Sequence, residues 1–143
     1  MFVGFDGANI WVTNQSDNNV TKLRASDGTN LGTFAVGTVP NGIAFDGANM
    51  WVANQGSNNV TKIRASDGTT VGTFAVGSLP QSVVFDGVYI WVTNFSSNTV
   101  TKLRAGDGAL IGTFPTGPFP EGAAFDAANV WVVNAGNNTV SKH

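Results

Sequence analysis

The sequence predicts an all-β fold built from similar antiparallel sheets that pack side by side. One segment recurs along the whole chain, and its tryptophans, Trp11, Trp51, Trp91 and Trp131, are each 40 residues apart. Each complete repeat contains four short runs of β-forming residues, and no window shows the 3.6-residue periodicity of an amphipathic helix. A fixed period of roughly 20–50 residues indicates stacked structural units, and four short strands per repeat are typical of a β-propeller blade.

The second repeat, residues 41–80, shows this pattern most clearly. It predicts strands at residues 42–45, 49–53, 59–64 and 71–76. Met50-Trp51-Val52 is a continuous apolar run, as expected for a strand that is buried on both faces. Asp46-Gly47 is a turn signal, because aspartate bonds its own backbone and glycine accepts a positive φ. The repeat therefore predicts four antiparallel strands joined by tight turns.

The repeats predict three complete blades and a fourth that lacks its outer strand. The predicted blades are residues 1–40, 41–80, 81–120 and 121–143, within a single propeller or half-propeller domain. An open stack would leave the apolar faces of the end blades bare, which is unfavourable by about 25 cal/mol per Å². We therefore expect closure of the four blades on themselves or pairing of two chains into an eight-bladed ring, and favour the homodimer. An excerpt from a longer propeller is a third alternative.

The composition limits the classes of function that the chain can perform. Its 143 residues are 42% apolar and 11% charged, which is sufficient for one domain with a buried core. The net charge of −2 favours neither nucleic acid nor an anionic membrane as a partner. No apolar run approaches the ~20 residues that span a bilayer, and the first residues lack the pattern of a signal peptide.

Residues suited to catalysis or metal binding are scarce. The chain has no cysteine, and its one histidine, His143, is the last residue, where fraying is expected. A calcium loop needs several converging oxygens, whereas Asp27 stands alone in its turn, as do its copies in the other repeats. We therefore predict no catalytic residue, no metal and no cofactor.

The aromatic and basic residues are predicted to be structural. We expect the tryptophans to pack between blades rather than to form an aromatic cage for a ligand. All the basic residues fall on the third strand of a repeat: Lys22, Arg24, Lys62, Arg64, Lys102, Arg104 and Lys142. We expect them to form salt bridges with turn aspartates of their own or neighbouring blades.

The repeat resembles the YVTN repeat, with tryptophan in place of tyrosine. The resemblance rests on Trp-Val-x-Asn at Trp11, Trp51, Trp91 and Trp131, on Asn-x-Val-Thr/Ser-Lys at Asn18, Asn58, Asn98 and Asn138, and on Gly-Thr-Phe-x-x-Gly at Gly32, Gly72 and Gly112. It covers the whole chain and implies a propeller similar to NHL-type and virginiamycin B lyase-like propellers. It also implies a prokaryotic, secreted or cell-surface protein, often with seven blades. Lyase activity would need a catalytic histidine near the axis, and the chain has no internal histidine.

The loop residues differ between repeats, whereas the residues of the strands and tight turns barely change. Loops held by a rigid frame commonly carry binding sites. The predicted binding residues are Gln15, Asn41, Gln55, Gln81, Phe95, Phe119 and Glu121. They would contact a small molecule, a glycan or a protein, with neither nucleic acid nor membrane as a partner.

We therefore predict a non-catalytic propeller scaffold for binding or self-assembly. Two alternatives remain open. One is a fragment of a lyase-like propeller enzyme whose catalytic residues lie outside this chain. The other is an engineered repeat protein without a ligand, which the near-identity of the repeats suggests.

Overall fold

The computed structural model describes residues 1–143 and consists of β-strands in four antiparallel sheets. Sheet 1 contains β1 (Val3–Phe5), β2 (Asn9–Asn14), β3 (Asn19–Arg24) and β4 (Asn30–Ala35). Sheet 2 contains β5 (Pro40–Phe45), β6 (Asn49–Asn54), β7 (Asn59–Arg64) and β8 (Thr70–Ala75). Sheet 3 contains β9 (Pro80–Phe85), β10 (Tyr89–Asn94), β11 (Thr99–Arg104) and β12 (Leu110–Pro115). Sheet 4 contains β13 (Pro120–Phe125), β14 (Val130–Asn134) and β15 (Thr139–Lys142). No helix of the length and hydropathy needed to cross a bilayer is present.

The predicted fold class is confirmed, with three four-stranded sheets and a last sheet that lacks its outer strand. In the second repeat the third strand matches its predicted bounds, and the others differ by at most two residues. The largest difference is at β5, which begins at Pro40. A proline fits the first position of a strand, because its missing N–H removes no hydrogen bond from the interior of the sheet.

An aspartate closes the turn between the first two strands of every sheet. In sheet 2, Asp46 Oδ1 accepts hydrogen bonds from the N–H groups of Ala48 and Asn49, at 2.9 and 2.7 Å. Its Oδ2 accepts the indole N–H of Trp51 at 2.7 Å. Burial acts to raise the pKa of Asp46, but these hydrogen bonds outweigh it and lower the pKa below its ordinary value. The carboxylate thus fixes both the turn and the indole ring.

The hydrophobic core consists of three junctions between successive sheets. We call the side of a sheet that carries the tryptophan its forward face, and the opposite side its rear face. Between sheets 1 and 2, Trp11 and Val20 of the forward face pack with Met50, Val52 and Ile63 of the next rear face. Equivalent residues pack between sheets 2 and 3 and between sheets 3 and 4. Each repeat therefore buries its apolar faces only against its neighbours.

Two lysines connect neighbouring sheets instead of pairing with turn aspartates. Lys62 is 4% exposed, and its ammonium donates hydrogen bonds to the Ala105 and Gly106 carbonyls of sheet 3, at 2.6 and 3.1 Å. Lys22 reaches the Ala65 carbonyl of sheet 2 at 2.6 Å in the same way. The expectation of salt bridges is wrong for these lysines. The next sheet covers the middle of the third strand, and the groups within reach there are backbone carbonyls.

The arginines at the end of the third strand do pair with turn aspartates, as expected. The pairs are Arg24–Asp27 at 2.9 Å, Arg64–Asp67 at 3.2 Å and Arg104–Asp107 at 3.0 Å. Both partners of each pair are about half exposed. Exposed pairs of this kind contribute about 0–1 kcal/mol each, so they stabilise the turns only modestly.

The forward face of sheet 4 and the rear face of sheet 1 are exposed. Trp131 is 39% exposed, whereas Trp11 and Trp51 are 0% exposed. Val140 is 56% exposed, and its equivalents in the other three sheets are fully buried. On the rear face of sheet 1, Phe5 is also exposed. The expectation that the tryptophans pack between blades thus holds for three of the four. The single chain is an open stack, so the alternative in which four blades close on themselves is wrong.

His143 is ordered, contrary to the expectation that the end of the chain frays. Its N–H and carbonyl both hydrogen-bond to the Val130 backbone at 2.9 Å. Its ring lies 6.2 Å from the Trp91 ring and 6.3 Å from the Phe114 ring. It occupies the position that Ile63 and Leu103 take in the preceding repeats. His143 therefore completes the junction between sheets 3 and 4.

This position predicts a pH-dependent stability. Burial lowers the pKa of His143 below its ordinary value, so the unfolded chain binds the proton more readily than the folded chain. The free energy of unfolding should therefore fall as the pH drops below about 6.5. His143→Leu should remove this component and stabilise the chain by about 1 kcal/mol through added apolar burial. Urea denaturation of both proteins at neutral and mildly acidic pH measures the effect, and identical pH profiles would contradict it.

Candidate functional site

The loops predicted to bind a ligand meet at one end of the stack. The link between two sheets contacts the loop between the second and third strands of the following sheet. Gln55 donates its N–H to the Val39 carbonyl at 2.9 Å, and Phe95 donates to the Leu79 carbonyl at 3.0 Å. We call the surface formed by these links and loops the loop face. Its frame is held by backbone hydrogen bonds, while its side chains differ between repeats.

Three apolar residues of the loop face have a left-handed backbone. Val39, Leu79 and Phe119 have φ values of 53°, 52° and 54°. This region is rare for any residue with a branched or bulky side chain. An asparagine of the same repeat accepts each N–H at 2.9 Å: Asn18, Asn58 and Asn98. These caps were not predicted from the sequence, although their asparagines recur at the same position of each repeat.

A row of polar side chains begins at Gln15, directly after β2, and continues along the first strands of sheets 2, 3 and 4. Gln15 Nε2 donates a hydrogen bond to Asn41 Oδ1 at 3.3 Å, and Asn41 Nδ2 donates to Gln81 Oε1. Gln81 and Glu121 line a cavity of about 430 Å³, together with Phe2. The Glu121 carboxylate makes no hydrogen bond within the chain, so it is free to accept one from a ligand. We call Gln15, Asn41, Gln81 and Glu121 the axial row.

The other predicted residues form a separate group or stand alone. The Phe95 and Phe119 rings stack with centroids 5.0 Å apart and an interplanar angle of 22°. Gln55 contributes its backbone to the loop face, and its side chain makes no hydrogen bond within the chain. The structure thus brings six of the seven residues into two groups, the axial row and the phenylalanine pair.

A larger groove of about 630 Å³ lies between sheets 1 and 2, beside the aspartate turns. Its charged groups already have partners within the chain. Asp6 accepts the Trp11 indole N–H, Lys22 donates to a carbonyl, and Arg64 pairs with Asp67. The groove therefore has fewer free polar groups than the axial row, and we do not assign a site there. No group of three or more His, Cys, Asp or Glu side chains is placed to hold a metal ion anywhere in the chain.

Solved structures with the same arrangement of sheets identify the fold. Hydrazine synthase from Kuenenia stuttgartiensis matches with a TM-score of 0.88 and 21% identity, over 98% of this chain and 44% of that one. Virginiamycin B lyase from Staphylococcus aureus matches with a TM-score of 0.83 and 19% identity, over 99% of this chain and 50% of that one. The chain has a β-propeller fold. The resemblance to virginiamycin B lyase-like propellers is thus confirmed for the fold.

A streptogramin B lyase structure matches as well, with a TM-score of 0.74 over 94% of this chain and 50% of that one. The propeller described here spans about half the length of these solved chains. At sequence identities near 20% the likeness concerns the fold alone. No protein-family model and no curated protein matches the sequence.

Proposed function

We propose that residues 1–143 form a non-catalytic propeller scaffold, a half-ring that pairs with a second chain into eight blades. The observation that carries this proposal is the exposure of Trp131 and Phe5 on the two end faces. Within the stack the following sheet covers the equivalents of Trp131. The equivalents of Phe5, which is 55% exposed, are less exposed: Phe45 and Phe85 are partly buried and Phe125 is 36% exposed. Contiguous exposed apolar surface of this kind marks an interaction site.

We also propose that the loop face and the axial row bind a ligand. The axial row offers amide groups and one free carboxylate, and the phenylalanine pair offers an aromatic surface beside the loops. This combination suits a small molecule, a glycan or a protein segment with both polar and apolar parts. The rigid frame beneath the loops supports such a role.

The pairing is tested by the mass of the protein in solution. Light scattering is expected to give about twice the 14.8 kDa of one chain at micromolar concentration. The mass should fall to that of one chain on dilution, because a non-covalent pair dissociates by mass action. A mass of one chain at every concentration would contradict the pairing.

A fragment of a propeller enzyme is the second candidate. It is favoured by the match to two lyases over about half of their length. Against it, the one histidine of the chain packs with Trp91 and Phe114, away from the axial row. Turnover of virginiamycin B by this chain alone would favour the enzyme and overturn the non-catalytic proposal.

A further inference from the structure

We infer that the exposed forward face of sheet 4 and the exposed rear face of sheet 1 are the two halves of one junction. The occupant of each face is a second copy of this chain, placed head to tail. This inference rests on the pairing proposed above and specifies its contacts. The junctions within the chain serve as its template.

The lysine bridge that crosses the first two internal junctions has unused partners on the end faces. Lys22 and Lys62 each donate to the carbonyl at the start of the following sheet's last turn, that of Ala65 or Ala105. The equivalent donor on sheet 4 is Lys142, which lies 5.4 Å from the Trp131 ring centroid and makes no hydrogen bond. The equivalent acceptor on sheet 1 is the Ala25 carbonyl, which no donor of the chain reaches. A second copy would bring these two groups together.

The apolar side chains of the end faces also correspond to those of the internal junctions. On sheet 4, Trp131 and Val140 stand where Trp11 and Val20 pack against the next rear face. Sheet 1 presents exposed Val3 and Phe5 together with the partly exposed residues Ile10 and Val12. Met50 and Val52 are the equivalents of Ile10 and Val12 in sheet 2, and both are fully buried. Sheet 1 of a second copy would therefore present to sheet 4 the apolar pattern that the rear faces of sheets 2, 3 and 4 present within the chain.

The space beside a glycine of the first strand gives a third correspondence. A Cβ added at Gly42 would lie 2.4 Å from the Gln81 carbonyl oxygen and 2.8 Å from the Ser82 Cα of the next sheet. Gly122 is the equivalent residue of sheet 4, and nothing lies within 4 Å of its added Cβ. Gly122 leaves room for the backbone of a following sheet. Ser82 occupies the equivalent position in sheet 3, so a test needs a side chain larger than serine.

A head-to-tail arrangement satisfies both end faces of both chains at once. Each chain supplies one forward face and one rear face, so two copies related by a two-fold axis form two identical junctions and close the ring. A contact between two rear faces would leave Lys142 without a carbonyl partner and Trp131 exposed. The observations therefore favour the head-to-tail ring.

The test compares wild-type protein with Gly122→Val, Lys142→Met and the control Gly106→Val. Gly106 also has nothing within 4 Å of an added Cβ, but it lies in a turn of sheet 3 away from both end faces. Sedimentation equilibrium is expected to show a wild-type dimer and at least a tenfold weaker dimer for Gly122→Val and for Lys142→Met. Gly106→Val should dimerise like wild type, and far-ultraviolet circular dichroism should show that every variant is folded.

The outcomes separate this inference from the proposed function. A wild-type protein that stays monomeric would overturn both. A wild-type dimer whose affinity is unchanged by Gly122→Val and Lys142→Met would leave the pairing intact and overturn the head-to-tail junction. Open-ended assemblies larger than a dimer would also overturn it, because they show that the contact does not close.

Discussion

Replacing Trp51 by alanine is expected to lower the free energy of unfolding by about 3–5 kcal/mol. The Trp51 side chain is fully buried between sheets 2 and 3, and its ring lies 5.5 Å from that of Phe74. The variant would leave a cavity at this junction. It would also remove the indole N–H that donates to Asp46. The Lys62 ammonium, which lies 5.0 Å from the centroid of the Trp51 ring, would lose that contact. Urea denaturation followed by circular dichroism measures the loss.

Trp131→Ala is the matched control, because Trp131 makes the same hydrogen bond to its turn aspartate, at 2.7 Å from Asp126. Its exposed ring has no following sheet in the chain to pack against, so the substitution should cost about 1 kcal/mol when the protein is monomeric. Both tryptophan variants are therefore measured at low concentration in protein that also carries Gly122→Val, which is expected to be monomeric. Equal losses for the two variants would show that tryptophan acts through its turn hydrogen bond rather than through the junction.

Gly68→Ala is expected to destabilise the chain by about 2–5 kcal/mol. Gly68 has a φ of +76°, and an added Cβ would lie 1.9 Å from a ring carbon of Phe34 in the preceding sheet. The Phe34 ring lies 5.6 Å from the Trp11 ring, which limits its movement away from the clash. The cost thus combines left-handed backbone strain with overpacking of the junction between sheets 1 and 2.

Gly28→Ala separates these two contributions. Gly28 has a similar φ of +74°, but nothing lies within 4 Å of its added Cβ, because none of the four sheets packs against the rear face of sheet 1. Its substitution should cost only the backbone strain, about 1–2 kcal/mol. The difference between the two variants in urea denaturation measures the packing at Gly68. No difference would mean that the Phe34 ring moves aside at little cost.

The candidate site was predictable only in part. Repeats that share a frame place equivalent loops at the same end, so the variable positions were expected to lie together, and Gln15, Asn41 and Gln81 do form one hydrogen-bonded row. Their separation from the Phe95–Phe119 pair depends on side-chain directions that the pattern does not contain. The left-handed conformation of Val39 was also missed, because its cap, Asn18, is 21 residues away in the sequence.

The lysines illustrate a general limit of strand patterns. Alternation along a strand tells which residues share a face, but not whether another sheet covers that face. Lys62 and Arg64 are two residues apart and share a face, yet Lys62 is buried against sheet 3 and Arg64 is exposed. Both were expected to pair with turn aspartates, because the strand pattern does not distinguish them.

The sequence by itself determined the repeat, the number of strands in each sheet and the turns at Asp46 and its equivalents, because these depend on local periodicity and on contacts within about six residues. Only the tertiary structure decided that the four sheets form an open stack, with Trp131 on a bare face and Lys142 without an acceptor. The physical reason is that closure depends on the angle accumulated over successive junctions. That angle arises from packing between sheets and appears in no single repeat.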